Sequence, residues 1–123
     1  MITGVVTANR EAMVLVTVLN SQGRDVMVDA VIDTGFTGFL TLPALLVATL
    51  GLTFAGTTQA TLGDGSDVLI DVFEAMVLWD NRVRHVTVLA AEGGALVGMS
   101  MLFGYRLILQ GAAGGLVQIE ALP

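Results

Sequence analysis

The chain has no cysteine and no lysine, one histidine, two prolines and little charge of either sign. Without cysteine it can form no disulfide, no thiolate nucleophile and no thiolate metal site, although this leaves the compartment open. With His85 as the single histidine, a transition-metal centre would have to rest mainly on carboxylates. His85 reads instead as an ordinary strand position, and neither metal nor cofactor is expected. The five basic residues are all arginine and scattered, with Arg82 and Arg84 the only close pair. A net charge of −6 without a basic cluster argues against nucleic acid, because nothing displaces phosphate counterions. No glycine-rich stretch runs into Lys-Ser or Lys-Thr, so no phosphate cradle is present.

What is present is mostly apolar. Hydrophobic residues make up 54% of the 123 positions and charged residues 13%, with a mean hydropathy of +0.83. That length allows one domain with a substantial core but not two. The apolar excess points to a surface covered by a partner. The stretch from Thr34 to Gly63 carries no charge, yet Pro43, Gly51 and Gly56 interrupt it and threonine recurs throughout. A spanning helix needs about 20 continuous apolar residues, so no membrane segment is expected. The N-terminal residues lack the positive flank of a signal peptide. The chain is therefore expected to be soluble and cytoplasmic.

The dominant pattern is short β-type runs separated by turn residues. Residues 12–20 and 25–32 form a hairpin around Ser21-Gln22-Gly23-Arg24. Residues 39–42 form a short strand, and 43–50 a helix that opens on Pro43 and stops at Gly51. Residues 57–62 and 67–80 flank Gly63-Asp64-Gly65-Ser66, where Asp-Gly between β-type runs signals a hairpin. After the Asp80-Asn81 turn, 82–90 is a strand, 95–103 a short helix, and 105–110 and 116–122 are closing strands around a glycine-rich turn. One mostly-β domain over residues 1–123 is expected.

The apolar run ending at Ile32 delivers Asp33-Thr34-Gly35. A carboxylate at the end of a strand, followed by a hydroxyl and a residue with no side chain, suits an ionisable group held in a tight loop. Acid-type peptide hydrolysis needs two such carboxylates close together, because one group must take a proton from water while another donates one. Two carboxylates at short range cannot both ionise, so the pair shares a proton and titrates as a unit. This chain has one copy of the tripeptide, so the working site would require a twofold dimer.

Other features have plainer readings. Asp-Thr-Gly alone is a good turn sequence. Asp64, Asp67 and Asp71 lack calcium-loop spacing and read as a solvated face. Ser100, in Gly98-Met99-Ser100-Met101-Leu102, nearly mimics a nucleophile elbow but lacks the final glycine. Trp79 and Tyr105 read as packing residues, and the six methionines as gap-fillers.

Three elements in order, Asp33-Thr34-Gly35, then Leu62-Gly63-Asp64-Gly65-Ser66, then Leu96-Val97-Gly98, resemble the retroviral-type (retropepsin-like) aspartic proteases, and especially small bacterial members of that clan. The resemblance runs over roughly residues 12–119 and implies a closed β-barrel with one or two short helices. It makes Asp33, Thr34 and Gly35 the catalytic loop and Leu62, Gly63, Asp64, Gly65 and Ser66 a substrate-binding flap. Leu96, Val97 and Gly98 would support the loop from behind. It also implies a homodimer whose interface uses terminal strands, with Leu116-Val117-Gln118-Ile119 the best candidate and residues 1–7 a possible partner strand. The sequence departs from the family at Phe36, where Ala or Ser is usual, and at Met99, where retroviral members often place Arg. The reading is an aspartic endopeptidase acting on peptides or proteins. The alternative, motivated by those two departures, is a non-catalytic barrel of the same kind that binds peptides or a protein partner.

Overall fold

The computed structural model describes residues 1–61 and 63–123. Its elements follow from the alternation of valine and polar residues. In β2 (Ala12–Leu19), Val14, Val16 and Val18 face the core while Leu15 faces out, the period of two that a half-buried strand requires. β2 follows β1 (Ile2–Val6) and pairs antiparallel with β3 (Asp25–Ile32) from Met13↔Val31 to Leu19↔Asp25. The turn between them is built on Asn20, which is buried. Its side-chain oxygen accepts hydrogen bonds from the Gln22 and Arg24 amides at 2.9 and 3.0 Å. Its amide nitrogen donates to the Leu50 carbonyl at 2.8 Å, at the far end of a helix.

That helix, α1 (Ala44–Leu50), follows β4 (Leu40–Pro43). Pro43 ends the strand and stands at the helix N-cap, so the expected helix begins one residue later. Gly51, in the left-handed conformation with φ 63°, ends it as expected. β5 (Thr53–Thr61) and β6 (Asp67–Trp79) form a long hairpin, with a register shift between Phe54 and Gly56. β7 (Arg82–Ala91) returns along β6 after the Asp80-Asn81 turn, whose two residues both have positive φ, as a tight hairpin connection demands.

Residues 95–103 depart from the expected single helix. They divide into β8 (Ala95–Val97) and a one-turn helix, α2 (Met99–Leu102), with Gly98 between them. The reason is tertiary. β8 is captured on both edges, parallel to β3 through Ile32↔Val97 and antiparallel to β4 through Leu40↔Val97, and paired backbone outweighs the helical propensity of a short apolar run. β9 (Tyr105–Leu109) and β10 (Leu116–Ala121) complete the chain.

The strand order is β5-β6-β7-β4-β8-β3-β2-β1-β10-β9. A further pairing, from Thr17↔Leu78 to Leu19↔Met76, joins β6 to β2 and closes β2, β3, β8, β4, β7 and β6 into a barrel. Inside lie Val14, Val16, Val18, Leu40, Leu42, Val77, Val88 and Val97, all nearly inaccessible to solvent. Trp79 is also buried and meets Tyr105 edge-on at 6.1 Å, in the packing role expected for both. β10 is flanked by β1 on one side and β9 on the other. Residues 1–7 and Leu116–Ile119, expected as partner strands at a dimer interface, pair with each other within the chain, and the edge left open at that end of the sheet is β9.

Asn20 links the first hairpin to the end of α1, so Asn20→Ala removes three hydrogen bonds and strands a helix-terminal carbonyl. It is expected to lower stability by about 2–3 kcal/mol, read as a shifted midpoint in urea unfolding. A midpoint equal to that of the wild type would show that the turn and helix end hold without this side chain.

Candidate active site

β3 carries Asp33 to the rim of the barrel, and the loop over residues 33–39 returns the chain into β4. The loop is fastened almost wholly by backbone groups. The Asp33 amide donates to the Val97 carbonyl at 2.9 Å, and the Phe36 amide to the Asp33 carbonyl at 3.2 Å. The Gly35 amide donates to Asp33 Oδ1 at 2.9 Å. A Cβ on Gly35 would stand 3.3 Å from that carboxylate oxygen, tighter than ordinary contact, so a residue without a side chain suits the position. Asp33 is half-buried, whereas Thr34 and Gly35 are exposed. The carboxylate is thus oriented by the chain and still open to solvent.

The segment after β8 packs directly against this loop. Gly98 donates to the Phe39 carbonyl at 3.0 Å, Met99 to the Phe36 carbonyl at 2.8 Å and Ser100 to the Gly38 carbonyl at 3.1 Å. The Ser100 hydroxyl donates to the Thr37 carbonyl at 2.6 Å. A Cβ on Gly98 would collide with the Gly38 carbonyl oxygen and stand 2.5 Å from Phe36 Cδ2. One on Gly38 would meet Phe36 Cζ at the same 2.5 Å. The Phe36 ring is therefore turned back over Gly38 and Gly98, filling the space that two missing side chains leave.

Of the residues singled out by sequence, Asp33, Thr34, Gly35, Leu96, Val97 and Gly98 come together in this one assembly. Gly63, Asp64, Gly65 and Ser66 form the tip of the β5–β6 hairpin, while Leu62 lies outside the described residues. From Asp67 to Asp71 β6 pairs with β5 alone, and β7 joins it only from Val72, so the hairpin end projects past the barrel as two strands. The Asp64 carboxylate accepts from the Ser66 hydroxyl at 2.6 Å and the Ser66 amide at 2.9 Å. These bonds, the hydroxyl first, hold the Asp64 carboxyl below its ordinary range. Below them, Thr61 donates to Asp67 at 2.7 Å.

Sequence reasoning missed Thr41, whose buried hydroxyl accepts from the Leu96 amide at 3.0 Å and so ties β4 to β8. A threonine on an otherwise apolar strand, Leu40-Thr41-Leu42, was the available signal. It also missed the placement of Arg84, whose guanidinium carbon lies 5.7 Å from the centre of the Phe39 ring. Nothing in the local sequence pairs those two residues. Ser100, considered as a nucleophile, instead fastens the loop. Among the described residues no group of three or more His, Asp or Glu side chains is arranged to hold a metal ion, and no helix is long and apolar enough to cross a membrane.

No protein-family model and no curated protein sequence matches the chain. Among solved structures it is similar to a retropepsin-like aspartic protease from Rickettsia conorii, with a TM-score of 0.59 and 14% identity over 99% of this chain and 91% of that one. At that identity the likeness concerns the fold, which is the retropepsin-like barrel.

Two outcomes follow from the geometry. Gly98→Ala is expected to cost about 3 kcal/mol, because a backbone oxygen blocks the new Cβ, and to shift the Met99 and Ser100 amide resonances. Gly111→Ala, where nothing lies within 4 Å, is its near-neutral control. Equal stability of the two variants would show that the loop yields easily. The Ser66 amide shift is expected to titrate below the ordinary carboxylate range. Because the Asp64 pKa is depressed by the folded hairpin, its contribution to hairpin order is complete above the unfolded value and is lost as pH falls through the folded one. A midpoint at the ordinary value would mean that the Asp64–Ser66 bonds do not persist in solution.

Proposed function

We propose that this chain is one half of a homodimeric aspartic endopeptidase. The observation that carries the reading is the Asp33 carboxylate, held by the Gly35 amide on a solvent-open loop in a fold shared with an aspartic protease. A twofold axis beside Asp33 would bring two such carboxylates together. One, ionised, takes a proton from a water molecule as its oxygen attacks the scissile carbonyl carbon. The other, protonated, donates to the carbonyl oxygen. The tetrahedral intermediate then collapses: the first carboxyl gives its proton to the departing amine, the second takes one back from a hydroxyl of the intermediate, and the C–N bond breaks, which returns the pair to one shared proton.

Thr34 and Gly35 shape the loop in this scheme. The Thr34 hydroxyl, which has no hydrogen-bond partner among the described residues, is free to bond across the axis. The projecting hairpin would close over an extended peptide held by backbone hydrogen bonds, with residues 63–66 nearest the substrate. Leu96, Val97 and Gly98 act indirectly, by fixing the loop. Phe36 had motivated the non-catalytic reading. Its ring lies against Gly38 and Gly98, while Thr34 and Gly35 remain exposed, so it gives that reading no support.

Asp33→Asn keeps the size and hydrogen-bonding capacity of the side chain but cannot share a proton as a carboxylate pair does. It is expected to lower the cleavage rate of a mixed peptide library by roughly 10³-fold while the circular dichroism spectrum and sedimentation behaviour stay unchanged. Cleavage that survives the substitution overturns the assignment. Absence of cleavage by wild-type protein shown to be dimeric would leave a peptide-binding barrel.

A further inference from the structure

Of the five arginines, Arg84 alone is not exposed. It continues the inward series of β7, two and four residues before the buried Val86 and Val88, and so meets the end of the barrel rather than its outer face. Its guanidinium lies over the Phe39 ring and donates through Nη1 to the Met101 carbonyl at 3.3 Å. A guanidinium carries five donors, and this is the one hydrogen bond it makes among the described residues. No carboxylate among them lies within ion-pair distance of it; the two ion pairs present join Met1 to Asp80 and Arg106 to Glu120. Partly withdrawn from water and lacking a counter-charge, such a group attracts an anion more strongly than an exposed arginine does.

Arg84 opens into a cleft of about 460 Å³ lined also by Thr37, Phe39, Met99, Ser100 and Phe103. Two walls belong to the candidate active site, since Thr37 lies in the Asp33 loop and Ser100 fastens it. Arg84 is the only charged residue in the lining. Phe103 is 83% exposed, so the cleft presents an aromatic wall, hydroxyls and one fixed cation. The remaining donors of the guanidinium are planar and forked, which suits a carboxylate. Because the ring and the Met101 carbonyl already hold the head in place, little further ordering is needed to bind one.

We infer that this cleft is an outer subsite that takes a carboxylate of the bound peptide, either an acidic side chain or the chain's own C-terminus, on Arg84. The inference rests on the peptide-binding site proposed above and deepens it to a preference for anionic peptides. In a twofold dimer the cleft occurs once on each half. Acidic side chains on both sides of the scissile bond could fill both copies, whereas a C-terminal carboxylate fills one. The negative charge carried by most of the chain makes the preference selective, because acidic peptides find favourable charge in few other places on it.

The test uses short, otherwise neutral peptides that differ only by Glu against Gln at each outer position, or by a free against an amidated C-terminus. Their affinity for the Asp33→Asn protein is measured by titration, and their cleavage by the wild type is followed alongside. A preference of roughly fivefold or more for the carboxylate form is expected, as a charge-assisted hydrogen bond at a half-buried site supplies. The Glu/Gln arm and the acid/amide arm identify its source. The preference should weaken at high salt, persist in part in Arg84→Lys and fall to about unity in Arg84→Met, which keeps the packed stem.

Equal affinity of the paired peptides overturns the inference even where the wild type cleaves them. A preference that survives in folded Arg84→Met does so as well, because the cation would then lie elsewhere. If Arg84→Met fails to fold, the wild-type discrimination and its loss in Arg84→Lys with rising salt decide the matter. Failure to bind any member of the set also overturns it. Carboxylate-dependent binding without cleavage leaves the subsite standing and removes only the protease reading.

Discussion

The site depends on how closely two backbones approach at Gly98 and Gly38. With no Cβ at either position, the chain leaving β8 lies directly against the Asp33 loop, and three successive amides, from Gly98 to Ser100, donate to carbonyls of that loop. Hydrogen bonds between buried backbone groups are costly to leave unmade, so this set fixes the loop without any charged or long side chain. The Phe36 ring then covers the gap. Glycine, glycine and phenylalanine thus act as one packing unit: a larger residue at Gly98 would displace both the ring and the Gly38 carbonyl, and one at Gly38 would displace the ring. Leu96 and Val97 matter for the same reason: β8 is the rail that delivers Gly98 to this contact, with Thr41 holding the rail from the β4 side.

The barrel supplies the rigidity behind this contact. β6 is thirteen residues long and divides its work by position. Its C-terminal half is paired with β7 along its length and with β2 near its end, which closes the cylinder, whereas its N-terminal third is paired with β5 alone. The inner half is nailed to a core of valines. The outer end has fewer neighbours and carries exposed Leu69 and Val68, features of segments that open at lower free energy than a closed core. One continuous strand thereby joins a stiff wall to a projecting two-stranded hairpin. The Asp64–Ser66 turn keeps that end ordered without burying it.

Much of this was legible in the residues. The alternating valines of β2, the Asp80-Asn81 turn and the glycine that ends α1 each announce themselves, because strand period, positive φ and helix termination leave local marks. Asp33-Thr34-Gly35 and Leu96-Val97-Gly98 were separately visible, and the structure brings them into contact. The missed features are those that a neighbour distant in sequence decides. Residues 95–103 read as one helix because their apolar run is ambiguous by pattern alone, and only the two edges offered by β3 and β4 make its first half a strand. Arg84 read only as the neighbour of Arg82 in the one close pair of arginines. The ring of Phe39, forty-five positions earlier in the chain, lies against its guanidinium. Asn20 was read as the end of a strand, yet its energetic weight comes from the Leu50 carbonyl.

The proposed site needs a second copy of the chain, and the topology narrows where that copy could dock. β1 has β2 and β10 on its edges and β10 has β1 and β9, so neither can exchange strands with a copy without first breaking pairs inside its own chain. Two kinds of surface remain for the proposed twofold contact. One is a free sheet edge, either β9, where Ile108 and Leu109 are exposed, or β5 at the other end; the other is the rim around the Asp33 loop, where Thr34 and Gly35 are exposed. The chemistry favours the rim, because paired carboxylates require the axis to pass beside Asp33, and Thr34 is exposed at that place with no partner for its hydroxyl among the described residues. An open edge is also a hazard in a chain this apolar. On β9 the exposed Arg106, paired with Glu120 of β10, places charge along that edge, which discourages sheet extension there. Charge on the β9 edge and the need to bring two Asp33 carboxylates together both favour, for the proposed contact, the side of the molecule that carries Asp33.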